Sequence, residues 1–557
     1  MIAPTFANFR GDFMNNWLGL ICAAFPLQNF NLRNARLQQF FAAANFGERV
    51  QVAEADRADT RNPNRSFISR IQITSDCEAS SARFCVGVPP SGGPGILQRS
   101  HAFTRPPEGG TPTFVICNFR PAAKHFFGME TKHIVVLGAG FGGLTFCQNF
   151  QHASARVTLV DRQNHHLFQP LLYQVASAGL SAPDIAQPIR SILAEKPNLT
   201  VLMENVVDVN LKEKHVTLEN KQLDYDYLVL ALGGATSYFG HTEWEQFAPG
   251  LKTLDDALRI RREILFAFEK AETETDPAKR EQLLTMVIIG GGPTGVELAG
   301  AFAELRRYVL ARDFDHIDPT KARVILIEAS PRVLSHLSEH LSENAQEQLD
   351  KLGVEVRLNT RVKNITSKCV ELVGGEMIHA ENIIWAAGVA ASPLTKKLGV
   401  ELDRAGHVKV NPDLSLPDHP EVFAIGDMAL VLDEDGTQVP GVSPAAMQMA
   451  GHVSNIIHEE LAFPGRMERP RFKYWDKGTM ATIGRSAAVV KIKNFEFTGY
   501  FAWLAWLFIH LIFLVGFRNK VSVLFSWAYS YFTYKRGSRI ITGLQDDKAI
   551  QRLGDTV

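Results

Sequence analysis

Cysteine is scarce in this chain: the 557 residues contain six, and no two of them form a C-x-x-C pair. No Cys/His set has the spacing of a zinc site either, so we expect no metal site. Only Cys147 and Cys369 lie downstream of Met129. This distribution is typical of a fold without structural disulfides in a reducing compartment.

The chain also lacks net charge, with a formal value of −1 at neutral pH. Its basic residues do not cluster outside the C-terminal region. No overall electrostatic field would therefore recruit nucleic acid, and we expect no nucleic-acid partner.

Residues 1–128 lack sustained hydrophobic periodicity and any assignable motif. Translation could begin at Met129, which would make the upstream stretch an artefact of start-site assignment. Alternatively, the stretch is a targeting segment, because residues 1–46 carry Arg10, Arg33 and Arg36 against the single acid Asp12. Under both interpretations we expect residues 1–128 to be poorly ordered and dispensable for catalysis.

Two stretches carry the pattern G-x-G-x-x-G directly after a short apolar run and directly before a helical pattern. Such glycines let the backbone turn tightly and approach a pyrophosphate, which then lies at the helix N-terminus. One such motif is weak evidence, but two in this context predict two nucleotides bound by one chain. The glycines are Gly138, Gly140 and Gly143 in the first motif, and Gly290, Gly292 and Gly295 in the second.

Each motif is followed by a second apolar strand that ends in an acid. Asp161 comes 23 residues after Gly138, and Glu328 comes 38 residues after Gly290. A carboxylate at this position accepts hydrogen bonds from a ribose 2′-hydroxyl and repels a 2′-phosphate. The longer second spacing predicts a helix over about 294–310 and a polar loop over 311–321. The alternative for Glu328 is a solvated acid at a strand end.

Strand-like and helix-like segments alternate from Met129 onward, which predicts a doubly wound α/β fold. Apolar strands that end in glycine precede Gly233 and Gly388, and a third such strand precedes Asp427. We expect the strand before Gly388 to return the chain to the first domain, so that the second nucleotide-binding domain is inserted in the first. The predicted divisions are 1–128 (unassigned), 129–250 and 381–465 (first domain), 251–380 (second domain) and 466–557 (C-terminal region).

The C-terminal region contains an apolar, aromatic run at 500–516 and a second at 521–534, separated and followed by cations. A buried core helix would explain the first run. Aromatic residues interleaved with cations favour membrane contact instead, and Trp503, Trp506 and Trp527 are typical of the headgroup level. The run is about as long as the shortest spanning helices, so the residues alone leave spanning and interfacial placement open.

These motifs resemble those of the type II NADH:quinone oxidoreductases, single-chain flavoproteins with two dinucleotide-binding domains. The resemblance extends from Met129 to about Gly543 and excludes the first 128 residues. The runs that carry it are FQPLLYQVA at 168–176, GGGPTGVELAG at 290–300, WAAG at 385–388, AIGD at 424–427 and YWDKGTMATIG at 474–484.

The resemblance implies a hydride transfer from NADH to FAD and then two electrons to a membrane quinone, without proton pumping. It places Glu297 near the contact between nicotinamide and flavin, Lys477 near the isoalloxazine ring, and Gln448 on the quinone side. The implied FAD residues are Gly138, Gly140, Gly143, Asp161, Gly233, Asp427 and Lys477. The implied NADH residues are Gly290, Gly292, Gly295, Glu328 and Gly388.

The resemblance also implies a homodimer and an interfacial C-terminal anchor on the lipid bilayer. The expected location is the cytoplasmic face of the inner (plasma) membrane, or the mitochondrial inner membrane if residues 1–128 contain a transit peptide. The chain departs from the family at the quinone-side motif, usually A-Q-x-A-x-Q, which here reads SPAAMQ at 443–448. Pro444 replaces the first glutamine and has no side-chain donor.

The sequence leaves three other functions open. A disulfide reductase needs a redox cysteine pair shortly after the first motif, where this chain has only Cys147. A sulfide:quinone oxidoreductase needs cysteines that carry sulfur, and Cys147 with Cys369 is a poor set. A membrane-tethered redox sensor could bind both nucleotides without turnover. Finally, we expect His165 and His166 to belong to a loop that walls a cofactor.

Overall fold

The computed structural model describes residues 131–465, 468–533 and 535–542. The two readings of residues 1–128 fall outside this part of the chain and stay predictions. The first elements, in chain order, are β1 (Lys132–Leu137), α1 (Phe141–Asn149), β2 (Ala155–Asp161), β3 (His165–Leu167), α2 (Leu172–Ala176), α3 (Ala182–Ile185), β4 (Ala186–Pro188), α4 (Ile189–Ile192), β5 (Leu199–Met203), β6 (Val206–Asn210), β7 (His215–Leu218), β8 (Gln222–Asp224), β9 (Tyr227–Leu230) and β10 (Gly234–Thr236).

The middle of the chain repeats this strand and helix order. Its elements are α5 (Leu254–Thr273), α6 (Pro277–Leu283), β11 (Thr285–Ile289), α7 (Pro293–Glu304) with a π-helical extension (Leu305–Val309), β12 (Arg323–Ile327), α8 (Glu339–Lys351), β13 (Glu355–Arg357), β14 (Val362–Thr366), β15 (Cys369–Leu372), β16 (Met377–His379), β17 (Asn382–Trp385) and β18 (Val389–Ala391).

The remaining elements complete the first domain and form the C-terminal region. They are β19 (Val408–Lys409), β20 (Ser415–Leu416), β21 (His419–Ala424), β22 (Ala429–Leu430), α9 (Ser443–Ala462), β23 (Thr479–Thr482), β24 (Ala488–Ile492), β25 (Phe495–Thr498), α10 (Gly499–Phe513) and α11 (Phe517–Thr533).

The first domain is built on a six-stranded sheet in the order β20-β21-β9-β1-β2-β5, parallel except for β20. The apolar run at 134–137 in β1 is inaccessible to solvent. A parallel strand covered on both faces needs such a continuous apolar run, which explains why the pattern predicted it. The predicted α/β class is confirmed.

The second domain is built on a parallel four-stranded sheet in the order β13-β12-β11-β17. All its strands lie in sequence between β9 and β21 of the first sheet, so the second domain is inserted in the first. Each domain also carries a three-stranded antiparallel sheet, β6-β7-β8 in the first and β14-β15-β16 in the second.

The prediction that the strand before Gly388 returns the chain to the first domain is wrong. This strand, β17, pairs in parallel with β11 of the second sheet. The chain instead passes between the domains through the antiparallel ribbon of β10 and β18. The boundary expected between residues 380 and 381 therefore lies beyond Trp385. Both sheets use apolar strands that end in glycine, so the pattern itself does not reveal which sheet a strand joins.

The C-terminal region forms the antiparallel sheet β23-β24-β25 followed by the two helices α10 and α11. Trp506 of α10 is 1% exposed, whereas Phe501 of the same helix is 76% exposed and Phe525 of α11 is 63% exposed. The helices thus pack against the protein on one side and present aromatic rings on the other. Within the described part of the chain, no helix combines the length and apolarity needed to cross a bilayer.

Candidate functional site

The first glycine motif lies between β1 and α1, and two of its glycines are required by close packing. A Cβ atom on Gly138, whose φ is +97°, would lie 2.4 Å from the carbonyl oxygen of Ala231. A Cβ atom on Gly143 would lie 1.8 Å from the carbonyl oxygen of Gly138. A Cβ atom on Gly140 would meet nothing within 4 Å. The middle glycine therefore borders open space, where a phosphate can approach the backbone.

The second motif, between β11 and α7, repeats this geometry. A Cβ atom on Gly290, whose φ is +113°, would lie 2.7 Å from the carbonyl oxygen of Ala386, and one on Gly295 would lie 1.8 Å from that of Gly290. A Cβ atom on Gly292 would again meet nothing within 4 Å. Both sites leave room for a pyrophosphate at a helix N-terminus, which fits a dinucleotide in each domain.

The two acids at the strand ends accept equivalent hydrogen bonds from the backbone. Asp161 accepts hydrogen bonds from the N–H groups of Ala139 (2.6 Å) and Gln163 (2.7 Å). Glu328 accepts from the N–H groups of Gly291 and Ser330, the latter at 2.7 Å. Each carboxylate thus holds the second residue of its glycine motif, a structural role that the sequence pattern does not predict. The carboxylate oxygens keep lone pairs for a ribose hydroxyl.

A cleft next to the interdomain ribbon contains one further predicted FAD residue, Asp427. Asp427 lines it together with Lys252, and their charged groups are 3.9 Å apart. Gly233 has φ +65° with open space around the position of a Cβ atom, whereas a Cβ atom on Gly388 would lie 2.7 Å from the Phe239 ring. Lys252 was not predicted, since an isolated lysine before a helix carries no sequence signal.

Glu297 lies in the first turns of α7, directly after the second glycine motif. Part of its side chain remains accessible, but the surrounding protein displaces solvent and raises the pKa of the carboxyl to about 8. Polar contacts from the Thr482 backbone and the Trp506 side chain lower this pKa and offset only part of the effect of burial. Glu297 is therefore mostly protonated at neutral pH.

The buried Tyr173 of α2 lies close enough to Glu297 for the carboxylate to raise the pKa of its phenol, in addition to the larger effect of burial. A directed chain of hydrogen bonds ends at this phenol. The indole N–H of Trp527 donates to Gln174 Oε1 (2.7 Å), and Gln174 Nε2 donates to the Tyr173 hydroxyl (2.8 Å). Two domains and the C-terminal helices thus meet at Glu297.

An arginine from the C-terminal tail fixes this junction. The Arg536 guanidinium donates to the carbonyl oxygen of Ser177, which follows α2, and to that of Ala301 in α7, at 2.9 and 3.3 Å. It also forms a largely buried ion pair with Glu304 at 3.0 Å. This role of Arg536 has no local sequence signal, because its partners are up to 359 residues away in the chain.

Gln448 and Lys477 lie close to each other in the structure. The Gln448 side chain hydrogen-bonds to the backbone of Trp475, and Lys477 follows two residues later. The Lys477 ammonium is 5.6 Å from the ring centroid of Trp475 and 5.4 Å from that of Phe513. The roles assigned to Gln448 and Lys477 stay predictions.

His166 packs against the first glycine motif. Its Nδ1 hydrogen-bonds to the carbonyl oxygen of Ala139 at 2.9 Å, and its ring meets the edge of Phe141 at a centroid distance of 5.1 Å. Burial lowers the pKa of His166, which favours the neutral ring. His166 lies in the short strand β3 and not in the predicted loop, and this strand borders the first glycine motif.

Comparisons with known proteins agree with this geometry. Residues 132–450 match the family described as pyridine nucleotide-disulphide oxidoreductase, and residues 476–535 match the NDH2 C-terminal domain. The chain is 44% identical over 424 residues to the type II NADH:quinone oxidoreductase Ndh of Mycobacterium tuberculosis, covering 74% of this chain and 90% of that protein. It is 46% identical over 427 residues to NdhA of the same organism, covering 73% and 89%.

The chain belongs to the type II NADH:quinone oxidoreductases. The family resemblance, the enzyme class and the cofactors FAD and NADH predicted from the sequence are thereby confirmed. The structure of NDH2 from Plasmodium falciparum in complex with NADH is 21% identical, with a TM-score of 0.67 over 74% of this chain and 100% of that one. At this identity the match supports the fold alone.

Within the described residues, the two cysteines of this type II oxidoreductase do not form a redox pair. Cys147 and Cys369 are both free and buried. Burial raises the pKa of the Cys147 thiol far above its ordinary value, so the reactive thiolate is scarce. Their environment gives no support to the disulfide-reductase alternative.

The paired glycine geometry predicts a contrast between Gly295→Ala and Gly292→Ala. The first change forces a methyl group against the carbonyl oxygen of Gly290, so it should destabilise the second domain by about 1–3 kcal/mol or more. The second change places its methyl group in open space, so it should leave the melting temperature unchanged and weaken NADH binding. Thermal unfolding and NADH titration measure the two effects. Equal loss of stability in both variants would contradict the assignment.

Proposed function

We propose that the second domain presents NADH to FAD held by the first domain, and that a lipid-soluble quinone is reduced on the C-terminal side. Bound FAD would supply the hydride acceptor and the path of the electron pair to quinone. Membership in the family carries the proposal, and lack of proton pumping is implied by the family. The duplicated open glycine sites supply a place for each nucleotide. Steady-state NADH oxidation by a soluble quinone tests it, because a redox sensor would bind both nucleotides without turnover.

Glu297 is proposed as the group that exchanges a proton during quinone reduction. Quinone reduction consumes protons. A carboxyl with a pKa of about 8 is protonated at neutral pH, and its pKa is close enough to the operating pH for efficient proton transfer. The Tyr173 phenol and the Trp506 indole surround the carboxyl on the sides of the first domain and the C-terminal helices. The group would therefore lie where both domains and the C-terminal region meet.

Glu328 is proposed to select NADH over NADPH. The N–H groups of Gly291 and Ser330 fix its carboxylate beside the second glycine motif. From that position it can accept hydrogen bonds from a ribose 2′-hydroxyl and repel a 2′-phosphate. Asp161 would perform the same hydrogen bonding towards the adenosine ribose of FAD.

The aromatic face of α10 and α11 is proposed to rest on the lipid bilayer at the level of the headgroups. Phe501, Phe517 and Phe525 are each more than half exposed on these two helices. Arg518 lies in the first turn of α11 and is exposed. An exposed aromatic surface beside cations is typical of interfacial attachment. The homodimer, the side of the membrane and the presence of a transit peptide stay predictions.

The Glu297 proposal predicts a pH dependence with a defined sign. As the pH rises through about 8, the carboxyl loses the proton that it would donate, so the rate of quinone reduction should fall. Glu297→Gln should lower this rate about 100-fold and remove the pH dependence, since general acid catalysis contributes about that much. Flavin reoxidation by quinone in rapid mixing measures both. Glu347→Gln, at an exposed carboxylate, is the control, and a limb near pH 8 that persists in the Gln variant would refute the assignment.

The Glu328 proposal predicts a change in nucleotide preference. Glu328→Gln should reduce the ratio of kcat/KM for NADH to that for NADPH by about 10-fold or more, because charged hydrogen bonding and repulsion are both lost. Using the ratio separates this effect from any loosening of the glycine motif. Glu347→Gln should leave the ratio unchanged. Wild-type protein that already uses NADPH as well as NADH would show that Glu328 does not select.

The membrane proposal predicts that Phe501→Ser combined with Phe525→Ser weakens binding to lipid vesicles about 100-fold, because each buried aromatic side chain contributes about 1.5–3 kcal/mol. Turnover with a short, soluble quinone should persist. Met203→Ser, at a residue 59% exposed on the edge strand of the first domain, is the matched control. Undiminished sedimentation of the double variant with vesicles would rule out this face as the attachment surface.

A further inference from the structure

The amide group of Gln448 is fixed by two reciprocal hydrogen bonds to a single residue. Its Nε2 donates to the carbonyl oxygen of Trp475 at 3.1 Å, and its Oε1 accepts from the N–H group of Trp475 at 3.0 Å. This pairing imitates the exchange between two antiparallel strands. It holds the backbone of residue 475 at a set distance from α9.

The segment after Trp475 is fixed from its other side as well. Gly478 has φ +93°, and a Cβ atom there would lie 2.5 Å from the carbonyl oxygen of Lys491 in β24. The Gly478 N–H group also donates to Asp476 Oδ1 at 2.8 Å. The turn over 475–478 is thus held between Gln448 on α9 and the edge of β24.

Lys477 occupies the middle of this turn. Its ammonium group lies between the rings of Trp475 in the turn and Phe513 at the end of α10, within cation–π distance of both. A shift of the turn away from α9 would move the ammonium out of this position. The same helix α9 packs against the first glycine motif: a Cβ atom on Gly142 would lie 3.7 Å from the carbonyl oxygen of Ala446. Helix α9 therefore contacts both the turn and the first glycine motif, and it fixes the position of one relative to the other.

We propose that Gln448 is a positioning residue, which supports quinone reduction by holding the Trp475–Lys477 turn so that the Lys477 ammonium stays between the two aromatic rings. The inference rests on the proposed function, and within it on the placement of Lys477 beside the flavin. The sequence is consistent with this role, because Pro444 removes the first amide of the motif and leaves Gln448 without a partner amide one turn away. The side chain acts through the turn that it holds.

The test is a double-mutant cycle in the full-length holoenzyme with Gln448→Leu, Lys477→Met and their combination. Flavin reduction by NADH and flavin reoxidation by a short, soluble quinone are measured separately in rapid mixing. Gln448→Leu should slow reoxidation about 10-fold, since two hydrogen bonds that place Lys477 are lost, and should leave reduction by NADH unchanged. The double variant should reoxidise within about twofold of Lys477→Met alone, because Gln448 then has nothing left to position.

Asn455→Leu, at an exposed amide on the same helix, is the control and should behave as wild type. If Gln448→Leu does not retain FAD, Gln448→Glu enters the same cycle, because its carboxylate still accepts from the Trp475 N–H group. If the loss of reoxidation rate in the double variant equals the product of the two single losses, the proposal is overturned. Gln448 would then act independently of Lys477, for example through its own contact with quinone. Unchanged reoxidation in either single variant would also overturn it. Wild-type protein without NADH:quinone turnover would instead refute the proposed function.

Discussion

The close approach of one glycine to the carbonyl oxygen of another sets the geometry of both nucleotide sites. In each domain the third glycine of the motif lies where a Cβ atom would come within 1.8 Å of the first glycine's oxygen. This contact pulls the helix N-terminus onto the end of the strand, and the strand-end acid then bonds to the intervening backbone. The two sites are therefore built by the same contacts, once in each sheet.

The C-terminal region contributes to the interior as well as to the surface. Trp506 lies beside Glu297, Trp527 orients Gln174 and through it Tyr173, and Arg536 ties Ser177 to α7. A segment that reads in the sequence as a membrane anchor thus encloses the carboxyl whose pKa is raised. Truncation before residue 500 would expose this junction, so point substitutions on the outer face separate membrane attachment from catalysis better than deletion does.

The fold was predictable where local pattern decides structure. Buried strands and glycine motifs have obligatory residue types, so the two nucleotide-binding domains followed from the sequence. Strand 382–385 was assigned to the wrong sheet, because pairing between parallel strands is non-local. Lys252, Tyr173 and Arg536 were missed as site residues for the same reason: each meets partners that are distant in the chain. The second role of Asp161, as an acceptor for the Ala139 N–H group, emerges only when the loop geometry is known.

The most direct test of the account is to follow the flavin of the purified full-length protein through one anaerobic cycle. We expect one FAD per chain, loss of flavin absorbance on addition of NADH, and recovery of that absorbance on addition of quinone. Both changes should occur at rates that match or exceed steady-state turnover. A flavin that stays oxidised with NADH, or stays reduced with quinone, would contradict the claim that the two nucleotide sites form one path from NADH to quinone.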